Sequence, residues 1–135
     1  MFFIANWKMF GDLKSVNSIK KVVKISKSKK YKKVQIIYCP PFTLIDKFLK
    51  LVKNSKIIIG AQNCHYSDKP GPFTGSINAN LLNSIGAKYV IIGHSENRAN
   101  GDNDYKISLK IKSALKKKLK VIFVRHKQGS ASLSL

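Results

Sequence analysis

An α/β fold on a parallel sheet is predicted by two observations. Five short apolar runs, at residues 2–5, 34–38, 57–61, 89–92 and 121–124, are continuous rather than alternating. That is the pattern of strands covered on both faces. Helix-like stretches fill every interval between them, and strict alternation of this kind brings right-handed crossovers and parallel strands. In chain order, Leu13, Val16, Ile19, Val22 and Val23 recur at helical spacing after the first run. Residues 43–52 read as a short helix after the Pro40-Pro41 break, and 77–85 as another that stops at Gly86. Ile107, Ile111, Ala114 and Leu115 mark a fourth helix with lysines opposite. The connection from 63 to 76, holding Pro70-Gly71-Pro72, is long enough to be a binding or contact loop.

Composition narrows the class. The chain of 135 residues is 44% hydrophobic, enough for a core and against disorder. Its first residues lack the basic start and long apolar stretch of a signal peptide, and no apolar run is long enough to cross a bilayer. Cys39 and Cys64 are too few for a disulfide framework and are expected as free thiols of a cytoplasmic protein. Net charge is +20, yet of 26 basic residues only Arg98 and Arg125 are arginine, the side chain suited to bidentate phosphate and base contacts. The lysines are expected along several helix faces rather than in one patch. Their charge alone implies weak, salt-sensitive contact with polyanions.

Chemistry concentrates at two strand ends. Asn6-Trp7-Lys8 follows the first apolar run, and Gly93-His94-Ser95-Glu96 follows the fourth. In a parallel sheet all carboxyl ends share one rim, the usual place for ligands. There a cation, an amide and an imidazole can hold an anionic substrate and polarise a carbonyl, so the chemistry implied is proton movement next to that carbonyl. His65, His94 and His126 lack metal-ligand spacing with the cysteines, and His65 and His126 are read as structural or surface residues. No glycine-rich phosphate loop or nucleophile elbow is present.

In this order, Asn6-Trp7-Lys8-Met9, Cys39-Pro40-Pro41-Phe42, Gly60-Ala61-Gln62-Asn63, Gly71-Pro72-Phe73-Thr74-Gly75 and Tyr89-Val90-Ile91-Ile92-Gly93-His94-Ser95-Glu96 resemble the triosephosphate isomerase family over about residues 2–124. The resemblance implies a (β/α)8 TIM barrel, here about its first half with five parallel strands and four helices. It implies interconversion of dihydroxyacetone phosphate and glyceraldehyde 3-phosphate in glycolysis and gluconeogenesis, with no cofactor, by a cytoplasmic homodimer with no specific nucleic-acid or membrane partner. By resemblance His94 is the neutral electrophile, Lys8 the substrate-binding cation, Asn6 part of the oxyanion site, and Ser95 and Glu96 supporting residues. Residues 62–76 resemble the dimer loop, with Thr74 as its contact residue.

The family's base, a glutamate after a sixth strand, has no counterpart here, and neither do its lid and later phosphate-binding loops. Phe10, Ser76 and Asn97 replace the family's usual Asn, Glu and Arg. Beyond Phe123 the similarity stops, so residues 1–124 read as a partial barrel and 125–135 as an unrelated, disordered tail left by a truncated or frame-shifted gene. On this reading the chain alone is inactive. Its alternatives are another phosphosugar isomerase barrel, a basic half-barrel binding polyanions, or a subunit that docks on an intact isomerase.

Overall fold

Strands β1 (Phe2–Asn6), β2 (Gln35–Cys39), β3 (Ile58–Ala61), β4 (Tyr89–Ile92) and β5 (Lys120–Phe123) form one sheet in the order β1-β2-β3-β4-β5. Every neighbouring pair is parallel, with Ile4 opposite Ile37, Ile37 opposite Ile58, Gly60 opposite Tyr89 and Ile91 opposite Ile122. The computed structural model describes residues 1–125. His126 and the expected tail lie outside them, apart from Arg125, which is exposed just after β5. The helices are α1 (Ile19–Ser26), α2 (Ile45–Val52), α3 (Ala79–Ser84), α4 (Ser95–Ala99) and α5 (Asp104–Lys116). The sheet is therefore the curled first half of a barrel, with β1 and β5 at its edges.

Continuous apolar strands are explained by two separate clusters. On the helix side Ile36, Ile59, Val90 and Ile92 pack with Ile19, Ile45, Phe48, Leu82, Ile107 and Ala114. On the opposite side Ile37, Cys39, Tyr89 and Ile91 are buried against Ile58, Ile122 and Val124. Alternate residues of β2 to β5 thus serve different cores, whereas β1, at the sheet edge, leaves Phe2, Phe3 and Ile4 60%, 58% and 41% exposed and is not covered on both faces as expected. Phe48 is fully buried, a contribution of about 2–3 kcal/mol by area. Trp7 meets it edge-on at a centroid distance of 5.1 Å, and so fixes the chain just before Lys8. At Gly60 an added Cβ would stand 2.8 Å from Cys39 Sγ and 3.1 Å from Tyr89 Cβ, so the second cluster closes only over a hydrogen there.

Three sequence expectations change. The first helix begins as a 3-10 turn at Ser15–Ser18 and becomes α-helical only at Ile19, leaving Leu13 68% exposed and off the apolar stripe. Leu115 is also exposed, while Lys110, expected on the polar face, is buried. Among the described residues there are five α-helices rather than four, because α4 is a single polar turn with no apolar period to reveal it.

Cys39 and Cys64 are free and buried. Burial pushes the Cys39 thiol up to about 12 and the Cys64 thiol up to about 11. Both therefore stay protonated and unreactive near neutrality. An aromatic disulfide reagent at pH 8 should label neither in the native chain within minutes and both after unfolding. Fast native labelling of either thiol would contradict the packing.

Candidate active site

The carboxyl ends of β1 and β4 meet through side chains. Lys8 follows β1 in the left-handed backbone region, at φ 52°, a conformation that costs a non-glycine residue about 1–3 kcal/mol unless its surroundings hold it. Two side chains do so. The Lys8 N–H donates to Asn6 Oδ1 at 3.0 Å, and its carbonyl accepts from Gln62 Nε2 at 2.8 Å. Gln62 Nε2 also donates to the Cys39 carbonyl at 2.9 Å, which joins the ends of β1, β2 and β3. Asn6 spends its side-chain oxygen on this clamp and keeps its NH2 as a donor.

From that position Lys8 Nζ reaches Glu96 Oε1 at 2.8 Å. His94 caps the first turn of α4, its Nδ1 accepting from the Glu96 N–H at 3.3 Å. An Nδ1 that accepts leaves the proton of a neutral imidazole on Nε2. Glu96 Oε2 lies 3.4 Å from the same Nδ1, a contact that is no hydrogen bond in this tautomer. Gly93, at φ +83°, makes the turn into His94, and an added Cβ would stand 2.8 Å from the Val124 carbonyl oxygen. Arg98 ties the short helix down, donating from Nε to the Gly93 carbonyl at 3.1 Å and from Nη1 to Asp104 at 2.8 Å.

The hydrogen bond from Lys8 holds the Glu96 carboxyl below the usual carboxylate range, against a smaller opposing effect of desolvation. Because the folded value is lowered, the pair's stabilisation is present above the ordinary carboxylate pKa and is lost as pH falls through the lowered one. A carbon-detected NMR titration should find Glu96 titrating below the ordinary glutamate range, and Lys8→Met should return it to that range. An unchanged midpoint in the variant would show that the pair does not form in solution.

Of the residues expected from sequence, Lys8, His94 and Glu96 converge directly and Asn6 joins through the Lys8 backbone. Ser95 is exposed as the first residue of α4, and Thr74 is exposed on the long loop. Gln62 and Arg98 were not singled out. The signal for Gln62 was its place directly after a buried strand, and for Arg98 its being one of two arginines. Also missed was a buried ion pair behind the site. Lys110 Nζ donates to Asp102 Oδ2 at 2.6 Å, Asp102 Oδ1 at 2.8 Å and Asn63 Oδ1 at 3.0 Å. A cavity of about 280 Å³ lies beside it, lined by Asn63, Cys64, His65 and Ser76 among others. A second, of about 170 Å³, lies under the loop. Neither is lined by Asn6, Lys8 or His94, and the Lys8 and Glu96 side chains are 49% and 54% exposed, so these groups stand on an open rim.

The triosephosphate isomerase family model matches residues 1–127. A triosephosphate isomerase from Wolbachia sp. subsp. Brugia malayi is 44% identical over 115 residues, covering 83% of this chain and 47% of the relative. One from Ehrlichia chaffeensis is 38% identical over 116 residues, covering 85% and 47%. Among solved structures, triosephosphate isomerase from Bartonella henselae superposes with a TM-score of 0.81 at 33% identity, over 90% of this chain and 50% of that one. The chain thus spans about half the length of the curated relatives it matches. With the family model matching nearly the whole length and five parallel strands superposing on an isomerase barrel, this chain belongs to the triosephosphate isomerase family.

Proposed function

We propose that these residues supply the cation and the electrophile of a triose-phosphate isomerase, which interconverts dihydroxyacetone phosphate and glyceraldehyde 3-phosphate through an enediolate. The observation that carries the reading is the convergence of Lys8, His94 and Glu96 at one rim, beside an Asn6 whose NH2 has no acceptor among the described residues. Lys8 attracts the phosphate and the developing oxyanion. The His94 Nε2–H donates to the substrate carbonyl, and the Asn6 NH2 assists. Glu96 holds Lys8 in place, and with Ser95 supports the histidine turn. A carboxylate base takes the carbon-bound proton next to the carbonyl and returns it to the neighbouring carbon. All six carboxylates are engaged: Glu96 with Lys8, Asp12 with Ser15, and Asp46, Asp68, Asp102 and Asp104 with Lys50, Lys116, Lys110 and Arg98. The base therefore comes from outside these residues.

The same reading takes residues 1–124 as isomerase domain and the assembly as a cytoplasmic homodimer of glycolysis and gluconeogenesis. Met9, Phe10 and Leu13, directly after Lys8, are 97%, 75% and 68% exposed. They offer an apolar seat for the partner's loop, on which Thr74 stands exposed. Among the described residues no helix is long and apolar enough to cross a membrane.

The test is a coupled isomerase assay on the 135-residue polypeptide, alone and mixed with the second half of the Wolbachia relative. No turnover above buffer is expected alone, and measurable turnover in the mixture. Turnover by the isolated polypeptide, abolished by His94→Ala, would show that a base exists within it. A mixture that forms a complex and stays inactive would overturn the proposal.

A further inference from the structure

The lysines are not spread evenly over the molecule. The four segments that carry the chain from a helix or turn into the next strand, residues 27–34, 53–57, 86–88 and 117–120, hold eleven lysines and no acidic residue. Because the strands are parallel and consecutive, all four segments lie at the amino-terminal rim of the sheet, opposite Lys8 and His94. Ten of the eleven lysines are exposed and Lys117 is half-buried. Among the described residues none of them enters an ion pair, since the paired lysines are Lys8, Lys50, Lys110 and Lys116. The N-terminal ammonium adds to the same rim, 3.3 Å from the Lys33 carbonyl oxygen.

Helix dipoles favour cations in a helix's last turn. That accounts for Lys24, Lys50 and Lys116, and for Lys29 and Lys30 in the 3-10 turn Lys29–Tyr31, but not for Lys56, Lys88 and Lys120, which stand four residues beyond a helix end at the start of a strand. Like charges gathered on one rim repel each other and raise a field that draws in polyanions. The side chains also select among polyanions. These segments hold no arginine, so base edges are not read. Their one aromatic residue, Tyr31, lies under the Lys30 ammonium at 5.7 Å and is only 36% exposed, a poor platform for stacking unpaired bases. Ile57, Ala87 and Leu119 are buried and Val34 is half-buried; the exposed Met1 and Phe2 stand only at the β1 edge of the rim, and two side chains there do not make the broad apolar face that a lipid interface binds. A backbone of duplex phosphates is the ligand that remains.

We infer that the amino-terminal rim is a sequence-independent docking surface for double-stranded nucleic acid, on the face opposite the candidate active site. The inference rests on the lysine distribution and not on the catalytic reading.

Fluorescence anisotropy of the full chain with a labelled DNA duplex of arbitrary sequence, across about 50 to 200 mM salt, tests it. A rim variant carries Lys32→Gln, Lys33→Gln, Lys56→Gln and Lys88→Gln. A control of equal formal charge carries Lys20→Gln, Lys21→Gln, Lys47→Gln and Lys112→Gln on exposed helix faces. Circular dichroism confirms that both are folded. The rim variant is expected to bind at least tenfold more weakly, with a log–log salt slope shallower by about 3–4, since each lost phosphate contact removes about 0.9. The control is expected to keep the native slope within about one contact. Equal losses in both variants would reduce the effect to net charge and overturn the inference. So would absence of duplex binding at the lowest salt, or binding to phosphatidylserine vesicles without competition from duplex.

Discussion

Replacing His94 by alanine in the reassembled barrel is expected to lower isomerase turnover by about 10²–10⁴-fold, the usual loss when a positioned proton-handling or oxyanion-stabilising group is removed. The geometry says why the loss falls on turnover. Nδ1 is already committed to the Glu96 N–H at 3.3 Å, so on the proposed reading Nε2 is the atom left to act, as a donor. A donor to a developing enediolate oxygen contributes most in the transition state, and kcat should therefore fall with little change in KM. Lys8→Ala should act differently, because an ammonium that attracts the phosphate contributes to binding as well as to turnover. Its KM should rise and its kcat fall. A His94→Ala effect confined to KM would place the imidazole on the phosphate instead of the carbonyl.

The second large effect is on stability. Lys110 and Asp102 side chains are 7% and 11% exposed. The three ammonium protons of Lys110 meet two Asp102 oxygens and one Asn63 oxygen. Removing one partner of such a pair leaves a buried charge uncompensated, at a cost of about 3–5 kcal/mol. Asp102→Ala should therefore unfold at clearly lower urea concentration. Replacing both, as Asp102→Leu with Lys110→Met, should recover much of the loss because neither charge then remains buried. The site should also feel the change. Asn63 follows Gln62, whose amide clamps the Lys8 backbone, so Asp102→Ala should broaden the Lys8 and Gln62 amide signals well below the unfolding midpoint. A single variant no less stable than the native chain would mean the pair is open to water.

Much of this arrangement was legible in the sequence because it rests on periodicity and on order along the chain. The apolar runs located all five strands to within a residue or two; burial of both faces explains the runs of β2, β3 and β4, while the edge strands β1 and β5 keep an apolar run although Phe2, Phe3 and Phe123 are exposed. Parallel topology then placed Lys8 and His94 on one rim before any distance was known. The polar devices were not legible. Helix α4 has no apolar stripe; it exists because His94 caps it and Arg98 holds the Gly93 carbonyl. Lys110 occupies a helix position that looks solvated, and only the approach of Asp102 from the preceding turn shows that it is buried. The concentration of lysine at the amino-terminal rim was equally hidden. Residues 27–34, 53–57, 86–88 and 117–120 are distant along the chain, and only the parallel sheet makes them neighbours.

Titration of dihydroxyacetone phosphate into the reassembled barrel, with Asn6, Lys8 and His94 side-chain nitrogens followed together by NMR, is the most direct test of convergence at one rim. All three signals should shift along saturation curves with one midpoint, and His94 should keep its proton on Nε2 throughout. Curves with separate midpoints, or a ligand that moves Lys8 and leaves His94 untouched, would contradict a single site built from these three side chains.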